Sequence, residues 1–169
     1  QVGAVAQALL DRKVPTDRPV VVLSDNALDH LVLVLATMHV GHAACTVSSG
    51  YCRLAQGDFT RIHGILRTLR PALVYASDAA VYGAALAAAP IDDALVVFSR
   101  GAETHAGALP FSALRSAVET PAVQVAFNAI TPDTHAKYLL TSGSTGQPKL
   151  VINTQRMLCA NQQMLAQAW

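Results

Sequence analysis

Apolar residues fall along the chain in short unbroken runs, separated by stretches with a helical period. Pro19 opens the run Val20–Leu23, "VVVL", which is short enough for a buried strand. Asn26 can N-cap the helix that follows, with Asp29 three residues on near its positive end. Apolar residues occupy nearly every face of that helix from Leu31 to Leu35, which predicts a buried helix, and Gly41 is placed to end it. "AACTV", 43–47, returns as a strand. Asp58 can cap a second helix in which Phe59, Ile62, Ile65, Leu66 and Leu69 share one face while Arg61 and Arg67 point away. Pro71 stops it. A strand "ALVYAS", a helix from Asp78 to Ala88, a break "APIDD" and a strand "ALVVFS" complete the alternation. Strands alternating with helices at this spacing imply βαβ crossovers, so the expected class is α/β, with a largely parallel sheet and flanking helices.

Beyond Ser99 the rhythm weakens. "RGAETHAGALPFSALRS" reads as a polar loop and a short helix, and "ETPAVQVAFNAITPDTHA" as a connector, partly extended. "AKYLLT" and "KLVINT" read as strands, and "QRMLCANQQMLAQAW" as a helix.

Composition changes this picture in one respect. Of the 169 residues, 52% are hydrophobic and only 14% charged, with a mean hydropathy of +0.35. That suits a piece of a larger core whose polar outer layer lies elsewhere. The start at Gln1 and the stop at Trp169 inside a helical pattern add to the expectation of a fragment.

The 12 basic and 11 acidic residues are spread evenly, without the basic stripe that nucleic acid would need. Cys45, Cys52 and Cys159 show no CxxC spacing, so the chain is expected to hold reduced thiols in a cytoplasmic setting. Gln1–Leu10 lacks the basic start of a signal peptide. Leu31–Cys52 contains no Asp, Glu, Lys or Arg, a length that raises a membrane span. His39, Gly41, His42 and "SSG" interrupt it, and a buried helix followed by a buried strand accounts for it better.

One stretch does not serve a core. "LLTSGSTGQPKLV", Leu139–Val151, sets hydroxyl residues, glycines, a proline and a lysine between apolar ends. A flexible linker would join two units, whereas this stretch lies between two strands. A plain turn needs two to five residues and no such set of hydroxyls. Glycines let the backbone approach a ligand, successive N–H groups make an anion-binding concavity, and Lys149 supplies a cation. Phosphate binding is the better reading, with a structural turn as the alternative. A Walker A loop is excluded, because its Lys directly follows the last Gly and opens a helix.

"TSGSTGQPK" closely resembles the glycine-rich signature of the AMP-forming adenylating superfamily, which includes acyl-CoA synthetases, peptide-synthetase adenylation domains and luciferases. "RPVVVLSDNALDHLVLVLATMHVGHAACTVSSGY" also resembles that family's N-terminal domain. "VINTQRMLCANQQM" and "SSGYCRLAQGDF" look most like bacterial feruloyl-CoA synthetases.

The resemblance implies that 1–169 is part of the N-terminal AMP-binding domain, with the rest of it and a C-terminal lid domain absent. It implies that Thr141, Ser142, Gly143, Ser144, Thr145 and Gly146 hold the β- and γ-phosphates of ATP, and that Lys149 neutralises the departing pyrophosphate. A carboxylic acid, ATP and CoA would be the small-molecule partners. The Mg2+ ligand, ribose contact, acyl pocket and second-step Lys would lie beyond Trp169. Leu140 and Leu150 depart from the family pattern, which has an aromatic and a Gly there; Gln155 replaces a frequent His, and Ser48–Gly50 lacks a usual Pro. A non-catalytic nucleotide-binding module and an inactive truncated product remain the alternatives.

Other candidates carry less. His39 and His42 read as packed or capping residues, His105 and His135 as solvated, and Cys159 as a core or interface thiol. Asp92 and Asp93 read as a strand-entry turn, and Met157 and Met164 as a buried stripe. The chain by itself is expected to be inactive and to associate through open strand edges and apolar faces.

Overall fold

A computed structural model of the chain describes residues 1–91, 93–141 and 148–168. The strands are β1 (Val20–Leu23), β2 (Ala44–Val47), β3 (Leu73–Asp78), β4 (Leu95–Arg100), β5 (Leu109–Pro110), β6 (His135–Thr141) and β7 (Lys149–Thr154). The helices are α1 (Val2–Asp11), α2 (Leu28–His39), α3 (Gly50–Arg53), α4 (Thr60–Leu69), α5 (Ala79–Ala87), α6 (Ser112–Arg115), α7 (Pro121–Asn128) and α8 (Gln155–Ala168). Among the described residues the strands form one sheet in the order β5-β4-β3-β1-β2-β6-β7. Every neighbouring pair is parallel except β6 and β7.

The inner strands are covered on both faces, which is why β1 to β3 are largely apolar instead of alternating. All four residues of β1 are buried. Val21 and Leu23 face one core with Cys45, Val74 and Phe98, closed by Ile62, Leu66, Tyr82 and Leu86 of α4 and α5. Val20 and Val22 face the other with Leu73, Tyr75 and Val97, closed by Val5 and Leu9 of α1, Leu33 of α2, and Phe111. The crossover through α2 lies on one face and that through α4 on the other, so the chain winds in both directions from β1.

Local signals explain several helix ends. Gly41 takes φ +80°. It lets the His42 N–H reach the Thr37 carbonyl at 3.0 Å and its own N–H reach that of Met38 at 3.3 Å, a Schellman closure of α2. Asp78 caps α5, accepting from the Ala80 N–H at 2.9 Å, and pairs with Arg100 on the neighbouring strand. The Asp58 carboxylate accepts from the Thr60 N–H at 3.0 Å at the start of α4.

Several expectations change. α1 was not anticipated, and the connector expected to be partly extended holds α7. Its start was legible: Thr120 accepts from the Ala122 N–H, and Pro121 occupies the first turn. The Gln7 side chain joins α1 to that cap, accepting from the N–H and hydroxyl of Thr120 at 3.0 and 2.8 Å. Asn26 is not the cap of α2; Ala27 holds that place without a side-chain bond. α2 is buried on one face only: Val32, Leu33 and Ala36 are inside, while Leu31 is 54% exposed. Met157 and Met164 are exposed rather than striped into a core, as is Cys159, because α8 has no buried residue.

The histidines divide. His39 stacks on Phe127 at 4.7 Å between centroids, and His42 is buried, which lowers its pKa. His135 is exposed, its Nδ1 bonded to the Tyr138 hydroxyl at 2.9 Å. His105, expected in solvent, packs on Phe98 with both ring nitrogens shielded. Asp93 is ion-paired with Arg18, which holds its carboxyl below the usual range; Asp92 lies outside the described residues.

All three cysteines are free. Burial pushes the Cys45 thiol up to about 12 and that of Cys52 up to about 11, which removes the thiolate needed for attack. In the native chain at pH 8, a thiol-reactive disulfide reagent should titrate Cys159 rapidly and the other two only on addition of denaturant. Three thiols reacting at one rate without denaturant would contradict this burial.

Candidate functional site

β6 and β7 make an antiparallel hairpin in which Leu140 pairs with Leu150 and Thr141 with Lys149. The side chains of directly opposed residues share a face of the sheet. Tyr138, Leu140 and Leu150 pack against the core beneath α4. A recess of about 20 Å³ separates Leu140, Pro148 and Leu150 from Gly64, Ile65 and Thr68 of that helix. Two of the departures from the family pattern, Leu140 and Leu150, are thus a cross-strand pair on the face that holds the hairpin down.

The opposite face carries Thr141 and Lys149, both exposed. The Thr141 hydroxyl donates to the Lys149 carbonyl at 3.4 Å, across the mouth of the hairpin. Lys149 forms no ion pair among the described residues, whose salt bridges all use arginines. Ser142, Gly143, Ser144, Thr145 and Gly146, the other expected phosphate ligands, lie outside the described residues.

β6 runs parallel to β2, with Ala44 opposite Lys137 and Cys45 opposite Tyr138. The hairpin mouth therefore opens at the carboxyl edge of the parallel strands, where ligands of open α/β sheets bind. Polar side chains gather along that edge. The Asp25 carboxylate, after β1, accepts from Ser49 at 2.5 Å and from Arg53 at 2.6 Å, joining it to the segment after β2. Ser24 bonds the ring of His30 at 2.8 Å, and burial lowers the pKa of that histidine. Arg61 lies over the Tyr51 ring at 4.6 Å. Ser99, near the end of β4, donates to Asp29 at 2.6 Å and bonds the Tyr75 hydroxyl at 2.7 Å. The contacts of Asp25, Asp29 and Tyr75 were not legible beforehand, since their partners stand 24 or more residues apart and no spacing links them.

Three other features bear on chemistry. Among the described residues no group of three or more His, Cys, Asp and Glu side chains could hold a metal. No described helix is long and apolar enough to cross a membrane. A cleft of about 900 Å³ opens between α2, α7 and α8, lined by Leu35, Met38, Phe127, Ile130 and Leu158. Its apolar lining suits packing, and it lies away from the hairpin mouth.

The AMP-binding enzyme family matches residues 1–169, and the chain belongs to that family. Its fold is that of adenylate-forming enzymes. It is similar to ATP-bound MatB from Rhodopseudomonas palustris, at 20% identity and a TM-score of 0.73, covering 99% of this chain and 31% of that one. It is also similar to a structure from a study of fatty acyl-adenylate ligases of E. coli and L. pneumophila, at 22% identity and 0.67, covering 95% and 26%. A red-emitting luciferase from Phrixothrix hirtus follows at 16% identity and 0.67, covering 91% and 29%. The chain spans about a third or less of the length of these structures. No curated protein sequence matches it significantly.

Proposed function

We propose that the complete enzyme to which this chain belongs activates a carboxylic acid with ATP. The acid's carboxylate oxygen attacks the α-phosphate, pyrophosphate leaves, and an acyl-adenylate results. A CoA thiolate then attacks the acyl carbon, forming the thioester and releasing AMP. The observation that carries the reading is the pairing of Thr141 with Lys149 at the mouth of a hairpin on the carboxyl edge of the sheet. It brackets a run of Ser, Gly and Thr residues with a hydroxyl on one side and, on the other, an ammonium that forms no ion pair among the described residues.

In this reading Thr141, Ser142, Gly143, Ser144, Thr145 and Gly146 hold the β- and γ-phosphates, and Lys149 meets the charge that builds on the leaving pyrophosphate. Mg2+ would offset further phosphate charge, held by a residue outside this chain. Residues 1–169 form part of the N-terminal adenylation domain, with the remainder of that domain and a C-terminal lid elsewhere in a cytoplasmic enzyme. The ATP bound to the similar MatB structure supports the choice of nucleotide. For the acid we propose a hydroxycinnamate such as ferulate, from the run Val151–Met164 and its resemblance to feruloyl-CoA synthetases.

Lys149→Ala in the complete enzyme should slow adenylation about 100- to 1,000-fold, the usual loss for one contact that strengthens in the transition state. Thioester formation from synthetic acyl-adenylate should be largely spared, because the pyrophosphate charge is gone by then. Equal loss in both half-reactions would give Lys149 a structural role instead. ATP binding without acid-dependent pyrophosphate release would favour a non-catalytic nucleotide-binding module.

Pyrophosphate release should be faster with ferulate, coumarate or caffeate than with long-chain fatty acids. The reverse order would overturn the hydroxycinnamate assignment and leave the reaction class standing.

A further inference from the structure

The first two residues of α8 tie it to the turn before β6. The Gln155 N–H donates to the Thr134 carbonyl and the Arg156 N–H to that of Pro132, both at 2.9 Å. From there the helix runs on to Ala168, 14 residues in all, and none of them is buried. A helix of that length draws little stability from its own backbone and depends on packing an apolar face.

Such a face is present and uncovered. Leu158 and Leu165 stand two turns apart on one side of α8, and Leu165 is exposed. Across the cleft of about 900 Å³, α2 presents Leu28, Leu31 and Leu35 at the three- and four-residue spacing of one helix face. All three are exposed, as is Phe127 of α7. Leu35, Phe127 and Leu158 line the cleft, while Leu28, Leu31 and Leu165 carry its walls on beyond it. A small molecule could fill the cavity and would still leave that extension in water. An apolar surface of this spread is what another stretch of protein covers.

Two observations choose the occupant. Arg156 is the one arginine, lysine or carboxylate residue of the lining, and it is already paired with Asp133 at 3.2 Å, so the cleft suits apolar, uncharged side chains. The chain also spans a third or less of the length of the similar structures. Polypeptide of the same enzyme can cover the face without the loss of free motion that a separate partner or a second copy would incur.

We propose that in the complete enzyme polypeptide outside residues 1–169 covers this face, packing apolar side chains into the cleft between α2, α7 and α8. The proposal rests on reading residues 1–169 as part of a longer adenylation domain. It adds the surface by which that part is joined to the remainder.

Cys159 lines the cleft and is exposed in residues 1–169, which makes it the probe. In the complete wild-type enzyme a thiol reagent should modify it about 100-fold more slowly than after denaturant is added, at any protein concentration. Phe127→p-benzoylphenylalanine sets a photoreactive group at an exposed cleft position. Irradiation should join it, within one polypeptide, to a peptide outside residues 1–169. Cross-linked dimers, or protection of Cys159 that is lost on dilution, would assign the face to a second copy and overturn the proposal. Labelling of Cys159 at the denatured rate, or cross-links absent or confined to residues 1–169, would overturn it as well. The thiol measurement uses unaltered enzyme, so it decides the matter even where the substituted protein fails to fold. An enzyme that releases pyrophosphate on addition of acid, yet leaves Cys159 open, would keep the reaction assigned above and lose this cover.

Discussion

A parallel sheet covered on both faces is the constraint on which the rest of this chain depends. Its inner strands have no solvent side, so β1 and most of β2 and β3 are apolar at every position. Hydrogen-bonded polar side chains collect where these strands end. Asp25, Ser49, Arg53, Asp29 and Ser99 all sit there, bonded to one another across loops. Burial along the inner strands concentrates these contacts at the carboxyl edge of the sheet.

The hairpin of β6 and β7 obeys a different rule, and this suits it to carry a binding loop. It is the one antiparallel pair among the described strands, so a short connection can close it where a parallel pair needs a crossover. One of its faces is spent on packing, through Leu140 and Leu150 under α4. The other is left for Thr141 and Lys149. Loop composition is thereby freed from packing: residues 142–147 need supply no apolar contact to hold the two ends together.

Much of this was written in local patterns. The apolar runs marked β1 to β4, the 3.6-residue period marked α4, and the composition of 141–149 marked the loop. What stayed hidden was set by tertiary partners. Apolar residues on most faces of α2 suggested full burial, yet helices on only one side of it leave Leu28, Leu31 and Leu35 in solvent. A Thr-Pro start at 120–121 signalled α7, but the polar, uneven sequence after it masked a helix that buries only Val123. His105 sits among polar and small residues, and nothing local shows that Phe98 and α5 will enclose its ring. For the loop, sequence carries residue types and the fold carries their frame: Thr141 and Lys149 are placed, and the residues between them rest on composition and resemblance.

The central claim is that phosphate is held by the segment joining β6 to β7. Amide hydrogen exchange of the complete enzyme, with and without ATP, tests it most directly. Protection should rise in the peptide spanning 141–149 and stay nearly unchanged at β1 and β3, whose amides the sheet already protects. Lys149→Ala should reduce that gain. ATP-induced protection that falls elsewhere, with 141–149 exchanging as fast as in the free enzyme, would contradict the account.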